Sequence, residues 1–387
     1  MKVCFETFGC RLNKAEALQM EADYLASGWE RTEKHADADL FVVRGCSVTA
    51  HAQHDCEKLI DHLKRHYPTV PIRVCGCLKP PASLLQRPDP PPPETPTVPV
   101  RTARAYLKVQ DGCAGQCTFC IVPRFRGPSK SEPFDEVLDR ARRFIDAGYR
   151  EIVVTGCNLS LFASQGKRLP DLVAALAELN PACRIRIGSL EPGPCALETI
   201  PAMAEHANVC RFLHLPVQSG ADRILLSMRR PYTAKDVVRT AELASERMSG
   251  LGLGCDIITG FPGETDLEFA ATKGLLKRLP FNNAHIFPYS MRPGTLAAGF
   301  PLMIPHPIRA ARAHELSRIV ERKRVKFAQS FVGKTVEIIV EDAEKSSGWT
   351  GEYLPARPVS GTAPRKSTLR LFITKIKDDH LYGRITT

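Results

Sequence analysis

No run of this 387-residue chain approaches the roughly 18 consecutive apolar residues that a membrane-spanning helix needs. The first residues also lack the apolar stretch of a secretory signal, because Glu6 and Arg11 interrupt it. Without such a signal, the fourteen cysteines imply reduced thiols and metal binding in a cytoplasmic protein rather than a disulfide framework. Acidic residues are outnumbered, 42 against 53 basic ones, and the net charge of +11 favours a polyanionic partner, nucleic acid first. No membrane association is expected. The apolar fraction of 43% is ample for cores, and the length suits two to three domains.

What is present is most informative at Cys113-Ala-Gly-Gln-Cys117-Thr-Phe-Cys120, a C-x₃-C-x₂-C run. A structural zinc site takes four protein ligands, and no further Cys or His stands nearby at finger or ribbon spacing. Thiolates also hold iron–sulfur clusters, and three of them on a four-iron cluster leave one iron open. The spacing resembles that of the radical S-adenosylmethionine (SAM) superfamily, in which the open iron binds the amino and carboxylate groups of SAM.

Around this motif the chain divides. Residues 1–86 read β-α-β-α-β, with strands near 3–5, 39–43 and 72–75 and helices over 14–27 and 51–66. Cys10, Cys46 and Cys77 each follow one of these strands. In an open α/β sheet, groups beyond the carboxyl ends of the strands converge, so the three thiols can meet at one edge. Ordinary buried cysteines are the alternative. Residues 87–103 are a proline-rich linker, with seven prolines between 87 and 99.

From 104 to 330 strands and helices alternate, with strands at 105–110, 151–156, 184–188, 211–216, 253–259 and 283–287. Repeated βα units imply parallel strands, and six suit a partial (β/α)₆ barrel with its chemistry at the strand carboxyl ends. The cysteine run follows the first of these strands. Residues 309–326 form a helix rich in arginine and lysine, read either as a solvated face or as a phosphate contact. Residues 331–387 read as a small antiparallel β-barrel, with strands at 336–340, 369–374 and 380–385.

Across nearly its whole length the chain resembles the methylthiotransferase family of radical SAM enzymes. Gly9-Cys10, Gly45-Cys46 and Gly76-Cys77 match the segments that hold that family's auxiliary cluster, and Arg104 through Pro123 matches its cluster loop. Further matches are Thr155-Gly156, Gly188-Ser-Leu-Glu191-Pro192, His214 through Gly220, Asp256 through Glu264 and Phe287-Pro-Tyr-Ser290. The resemblance implies two 4Fe-4S clusters, one on Cys113, Cys117 and Cys120 and an auxiliary one on Cys10, Cys46 and Cys77, with SAM as the other cofactor. Cys75, beside Cys77, is the competing ligand; the glycine before Cys77 favours the latter. The resemblance also implies an amino-terminal cluster domain, here shortened, a radical SAM barrel, and a carboxyl-terminal TRAM domain.

Thr49 through Lys58 and Phe287 through Thr295 are most similar to tRNA threonylcarbamoyladenosine methylthiotransferases. The expected reaction adds a methylthio group at carbon 2 of that adenosine in the tRNA anticodon loop. The alternatives are isopentenyladenosine of tRNA, an aspartate of a ribosomal protein, or a non-enzymatic iron–sulfur RNA-binding protein. No catalytic residue is expected beyond the cluster cysteines. Phe119, Gly156, Ser189, Glu191 and Gln218 are candidates for SAM contacts or for scaffolding of the barrel rim. An electron donor such as flavodoxin or ferredoxin and a monomeric state complete the expectations. Cys4, Cys56, Cys157, Cys183, Cys195, Cys210 and Cys255 read as small buried side chains, and the histidines at 51, 54, 62 and 66 as solvent-facing. Arg44-Gly45 stands where the family commonly has Asn-Thr before the second cysteine, which alters the hydrogen bonding available near the sulfurs.

Overall fold

The computed structural model describes residues 1–78, 97–98 and 102–386. Most of the expected proline-rich linker lies outside these described residues. Among them, no helix is long and apolar enough to cross a membrane.

The amino-terminal part is a parallel sheet in the order Glu30–Arg31, Lys2–Thr7, Leu40–Gly45, Ile72–Gly76. The strand Glu30–Arg31 is an addition to the three expected, too short for its two residues to show a period. All six residues of the central Leu40–Gly45 are buried. Alternation sends Phe41 and Val43 to one cluster with Ile60 and Leu63, and Leu40 and Val42 to another with Tyr24 and Trp29. The helices are Arg11–Ala26 and Ala50–His66, the second capped by the Thr49 hydroxyl, which accepts from the Ala52 N–H at 3.2 Å.

Six parallel strands follow. Ala105–Lys108, Glu151–Thr155 and Arg184–Ile187 lie side by side, as do Phe212–Gln218, Gly252–Thr259 and Asn283–Pro288. Parallel bridges Ile185–Val209 and Ser189–His214 join the two sets. The result is the partial six-stranded barrel expected, open between its first and last strands. Leu107, Ile152, Val154, Ile185, Leu213, Leu215, Leu253 and Cys255 pack outward against the helices. Strand alternation therefore turns Lys108, Glu151, Arg186, His214, Asp256, His285 and Phe287 to the lumen side. The helix Pro194–Glu205 carries Pro201 inside it, a residue that ordinarily marks a break, and its sequence does not signal it.

The tail is a closed barrel of five strands, not three: Thr335–Asp342, Ser347–Thr350, Pro355–Pro358, His380–Ile385 and Thr368–Lys377 in spatial order. It does not hang free. Glu151, fully buried, accepts from Arg186 Nε at 2.8 Å and Arg184 Nε at 2.9 Å, with Arg104 3.6 Å away. The same arginines donate onward to tail carbonyls: Arg184 to Glu337 (3.0 Å) and Trp349 (3.0 Å), Arg186 to Thr350 (2.9 Å) and Gly351 (3.1 Å). Arg104 reaches the Glu341 carboxylate at 2.6 Å. Burial opposes the charge on Glu151, but Arg186, Arg184 and Arg104 outweigh it and hold the carboxyl well below the ordinary range.

The basic helix, His306–Gln329, corrects the phosphate-gripping alternative in part. Arg312 is buried on Glu264 (2.6 Å) and Asp266 (2.7 Å), and Arg324 pairs with Asp379. Lys323 donates to the carbonyls of Leu276 (2.6 Å), Lys277 (2.8 Å) and Leu279 (2.6 Å), completing the carboxyl end of the helix Asp266–Arg278. Arg309 donates to the Tyr289 carbonyl. Arg318, Arg322 and Lys326 remain exposed, four residues apart and so on one stripe.

Candidate functional site

Three neighbouring parallel strands of the amino-terminal sheet end in Gly-Cys turns or in a glycine just before the cysteine, and the turns pack on one another. A Cβ on Gly9 would stand 2.7 Å from Cys46 Cβ, and one on Gly76 would stand 2.8 Å from the Gly45 carbonyl. With φ of 95° and 85°, both glycines also hold left-handed backbone that disfavours other residues. The Cys77 N–H donates to the Gly45 carbonyl at 3.1 Å. Asn13, wholly buried, ties the turns together by donating to the carbonyls of Phe8 and Gly45, each at 2.9 Å. Cys10, Cys46 and Cys77 are thus gathered at one edge. Cys75 instead faces Arg44, whose Nη1 lies 3.6 Å from its sulfur, on the other side of the strand.

Cys113, Cys117 and Cys120 share one loop beyond the first barrel strand. Gly115 lies against two of the sulfurs, where a Cβ would approach Cys113 Sγ at 3.1 Å and Cys117 Sγ at 3.8 Å. The Thr118 amide donates to the Met228 carbonyl (3.1 Å), and its carbonyl accepts from Ala297 (2.8 Å). These bonds hold the loop over the carboxyl ends of the later strands. Phe119 packs edge-on to Phe261, centroids 6.4 Å apart, and shields the loop from below.

The two cysteine sets face one opening. Glu16 accepts from Lys108 Nζ at 2.6 Å and Arg126 Nη2 at 3.0 Å, and also pairs with Arg44. Arg126, at the end of the short helix Val122–Arg126 that follows Cys120, donates to Cys77 Sγ (3.1 Å), Asn13 Oδ1 (2.7 Å) and Asp111 Oδ1 (3.0 Å). At the opposite edge the Ala50 N–H donates to Ser290 Oγ at 3.2 Å, and Arg292 bonds Gln53. The amino-terminal part therefore spans the gap between the first and last barrel strands, with its cysteines over the lumen.

Charge is arranged around the sulfurs. Burial raises the Cys77 thiol, and Arg126 works against that; burial likewise raises Cys117, opposed by Arg230. Cys120 is pushed up to about 11 by burial. Arg230 donates to Cys117 Sγ at 3.1 Å, to Glu191 Oε1 at 2.6 Å and from Nε to Tyr232 at 2.8 Å. Each set thus has one buried arginine joining a sulfur to a glutamate. Lone buried thiols are costly to ionise, whereas a bound cation deprotonates them outright.

All fourteen cysteines are free. The described groups whose ligand atoms close to within 4.8 Å are Cys4, Glu6, His35 and His214, Asp256, His285; neither cysteine set is among them. Sulfurs around a single tetrahedral zinc stand about 4 Å apart, given Zn–S bonds near 2.3 Å. Three thiols spread more widely, one of them in each set held by an arginine, fit a multi-iron cluster better than one ion. Of the other sequence candidates, Gln218 lies at a bulge with φ of 63°, a strained position for a non-glycine residue. Ser189 sits exposed at the rim, and Glu191 is engaged by Arg230. At Gly156 the close approach is Gln110, whose Oε1 would lie 2.9 Å from a Cβ. The seven remaining cysteines that read as small side chains are buried, apart from half-buried Cys157 and Cys195, and His51, His54, His62 and His66 are exposed. Reasoning from sequence missed Arg126, Arg230 and Glu16: Glu16 and Arg126 at least follow Cys10 and Cys120 closely, whereas Arg230, 113 positions from Cys117, carries no local signal.

Replacing Arg126 with Gln is expected to cost about 1.5–3 kcal/mol in chemical denaturation, the range for hydrogen bonds to charged groups, and no more because Glu16 keeps Lys108 and Arg44. Lysine should recover less than half of that loss, since it cannot reach three acceptors with a planar fork.

Residues 107–276 match the Radical SAM superfamily, and residues 2–87 match the uncharacterized protein family UPF0004. The chain is 30% identical to the threonylcarbamoyladenosine tRNA methylthiotransferase MtaB of Bacillus subtilis, over 91% of this chain and 89% of that protein. It is 31% identical to a tRNA-2-methylthio-N(6)-dimethylallyladenosine synthase of Cereibacter sphaeroides, over 99% and 98%. The fold is similar to that of a radical SAM methyltransferase, TsrM from Kitasatospora setae, solved with cobalamin and a 4Fe-4S cluster, at a TM-score of 0.54 and 15% identity over 74% of this chain and 71% of that one. With two cysteine sets over a six-stranded barrel and these relatives along nearly its full length, the chain belongs to the radical SAM family of tRNA methylthiotransferases, enzymes whose cofactors are 4Fe-4S clusters, two in number, and S-adenosyl-L-methionine.

Proposed function

We propose that this enzyme adds a methylthio group to carbon 2 of N6-threonylcarbamoyladenosine beside the tRNA anticodon. The observation that carries the reading is the convergence of two separate cysteine sets on one barrel mouth, pinned there by Arg126 and Glu16. Cys113, Cys117 and Cys120 would hold the cluster that engages SAM, and Cys10, Cys46 and Cys77 the auxiliary cluster. Together with SAM these groups supply radical chemistry at an inert aromatic carbon–hydrogen bond, and the sulfur and methyl groups. The chain's own residues do the rest. Phe119 and the amino-terminal sheet shield the mouth, Ser189, Glu191 and Gln218 line its rim for SAM, and Arg126 fixes the gap between the loops.

An anticodon loop offers unstacked bases that can be splayed into such a mouth. The exposed stripe Arg318, Arg322 and Lys326, on the half of its helix that runs from the mouth toward the tail barrel, supports phosphate contact with RNA beyond the loop. The protein would act as a cytoplasmic monomer, where thiols stay reduced, with flavodoxin or ferredoxin as electron donor. A dimethylallyladenosine substrate is the second reading, since relatives bearing that name match equally well. Nucleoside mass spectrometry of tRNA from a deletion strain decides between them. Accumulation of threonylcarbamoyladenosine without its methylthio form is expected; unchanged methylthio nucleosides would refute both.

A further inference from the structure

One group of lumen residues plays no part in holding the clusters. His214 Nε2 and His285 Nδ1 both lie 3.0 Å from the same oxygen of Asp256. The three sit on adjacent strands, Asp256 directly opposite His285 in register. Gly254 makes this possible, because a Cβ there would stand 2.6 Å from His214 Nδ1. The burial opposing Asp256's charge is outweighed by the two imidazoles, which hold its carboxyl below the ordinary range. His285 itself is 56% exposed at its side chain, and Phe287, next on the same face, is 44% exposed. An interior barrel wall that shows an aromatic ring and an imidazole to open space is not packed as core.

Its position matches the mouth. Two residues beyond Phe287, Tyr289 packs on Phe261, which packs on Phe119 between Cys117 and Cys120. Ser290, one residue on, meets the amino-terminal helix that follows Cys46. His285 is thus only a few residues, at about 3.3 Å each, below both cysteine sets. The wall is also braced from behind: His285, His214, Phe212, Tyr353 and Trp349 follow one another at centroid spacings of 5.3, 6.3, 4.7 and 4.6 Å.

We infer that His285, held by Asp256 and His214, selects a substrate adenosine whose N6 substituent ends in a carboxylate, while Phe287 stacks on the base. The inference deepens the proposed function and rests on its reading of a tRNA adenosine as substrate. Nδ1 faces Asp256, which leaves Nε2 toward the lumen. A substrate carboxylate there would place the ring between two anionic oxygens, where an imidazolium donates from both nitrogens. An allyl tail offers Nε2 no acceptor, and a site built to hydrogen-bond a polar group discriminates against an analogue that lacks it.

The test uses anaerobically reconstituted enzyme and two anticodon stem-loops, one carrying N6-threonylcarbamoyladenosine and one N6-dimethylallyladenosine. For the wild type, kcat/KM should favour the first. H285L should lower it on the first by about 10- to 100-fold, the equivalent of one charged hydrogen bond, and leave the second unchanged. H285Q, which keeps a donor, should recover part of the loss. D256N should follow H285L. SAM cleavage without RNA should be the same in every variant, which separates a specificity role from damage to the fold. An unchanged ratio between the substrates in H285L overturns the inference. So does loss of one equivalent of zinc or other non-cluster metal from H285L, which would make the trio a metal site. Wild-type preference for dimethylallyladenosine overturns it while leaving a tRNA adenosine as substrate; turnover of neither stem-loop brings down the proposed function with it.

Discussion

Protein with Cys113, Cys117 and Cys120 all replaced by alanine should retain about half its iron after anaerobic reconstitution and cleave no SAM, since one of two three-thiolate sets is gone. Replacing Cys10, Cys46 and Cys77 should remove the other half. The two losses are separable because the sets stand on different elements: one loop beyond the barrel, and three turns of the amino-terminal sheet, two joined by Asn13 and the third by the Cys77 N–H on the Gly45 carbonyl. Iron and inorganic sulfide are measured directly, and the spectrum of the remaining cluster serves as the internal control. Full iron in the second triple variant would show that the amino-terminal thiols hold nothing. Zinc in place of iron would remove the radical chemistry as well.

The largest effect on stability is expected at a residue far from any sulfur. Replacing Glu151 with alanine should destabilise the protein by about 3–5 kcal/mol, because it strands buried guanidiniums without their shared carboxylate. Arg186 is as buried as Glu151, and Arg184 and Arg104 are nearly so. Since these arginines also hold the tail by its carbonyls, limited proteolysis should open the chain near Phe331 before the rest unfolds. The folded carboxyl is depressed, so its stabilisation is complete above the ordinary carboxylate range near pH 4 and is lost as the pH falls below it. An unchanged denaturation midpoint would show that water satisfies the arginines. The same network makes a chain cut before Phe331 a poor test of the tail's role in RNA binding, because the cut uncovers Arg184 and Arg186. Charge substitutions at Arg318, Arg322 and Lys326 avoid that problem.

The two cysteine sets were legible in the sequence because their signals are local. A glycine before each of Cys10, Cys46 and Cys77, at the end of an apolar run, marks both the turn and the sheet edge where the runs end together. The alternation of strands and helices gave six barrel strands within a residue or two. Signals that depend on distant partners were not legible. The seven cations of the basic helix look alike in sequence; Glu264, Asp266, Asp379 and the end of the helix Asp266–Arg278 decide which are used internally. Arg126 lies 110 positions from Glu16 and 49 from Cys77, so no spacing rule pairs them. The strand Pro355–Pro358 begins and ends in proline, which lowers any strand signal, and is held as a strand only by Ser347–Thr350 and His380–Ile385 on either side.

The claim that two cysteine sets serve one mouth meets its most direct test in product analysis of the protein lacking Cys10, Cys46 and Cys77. Incubated with SAM, a strong reductant and tRNA bearing N6-threonylcarbamoyladenosine, it should still convert SAM to methionine, because Cys113, Cys117 and Cys120 are intact. It should release no methylthio nucleoside on digestion of the tRNA. Methylthio product at the wild-type level would contradict a joint site and leave the amino-terminal turns without a role in the reaction.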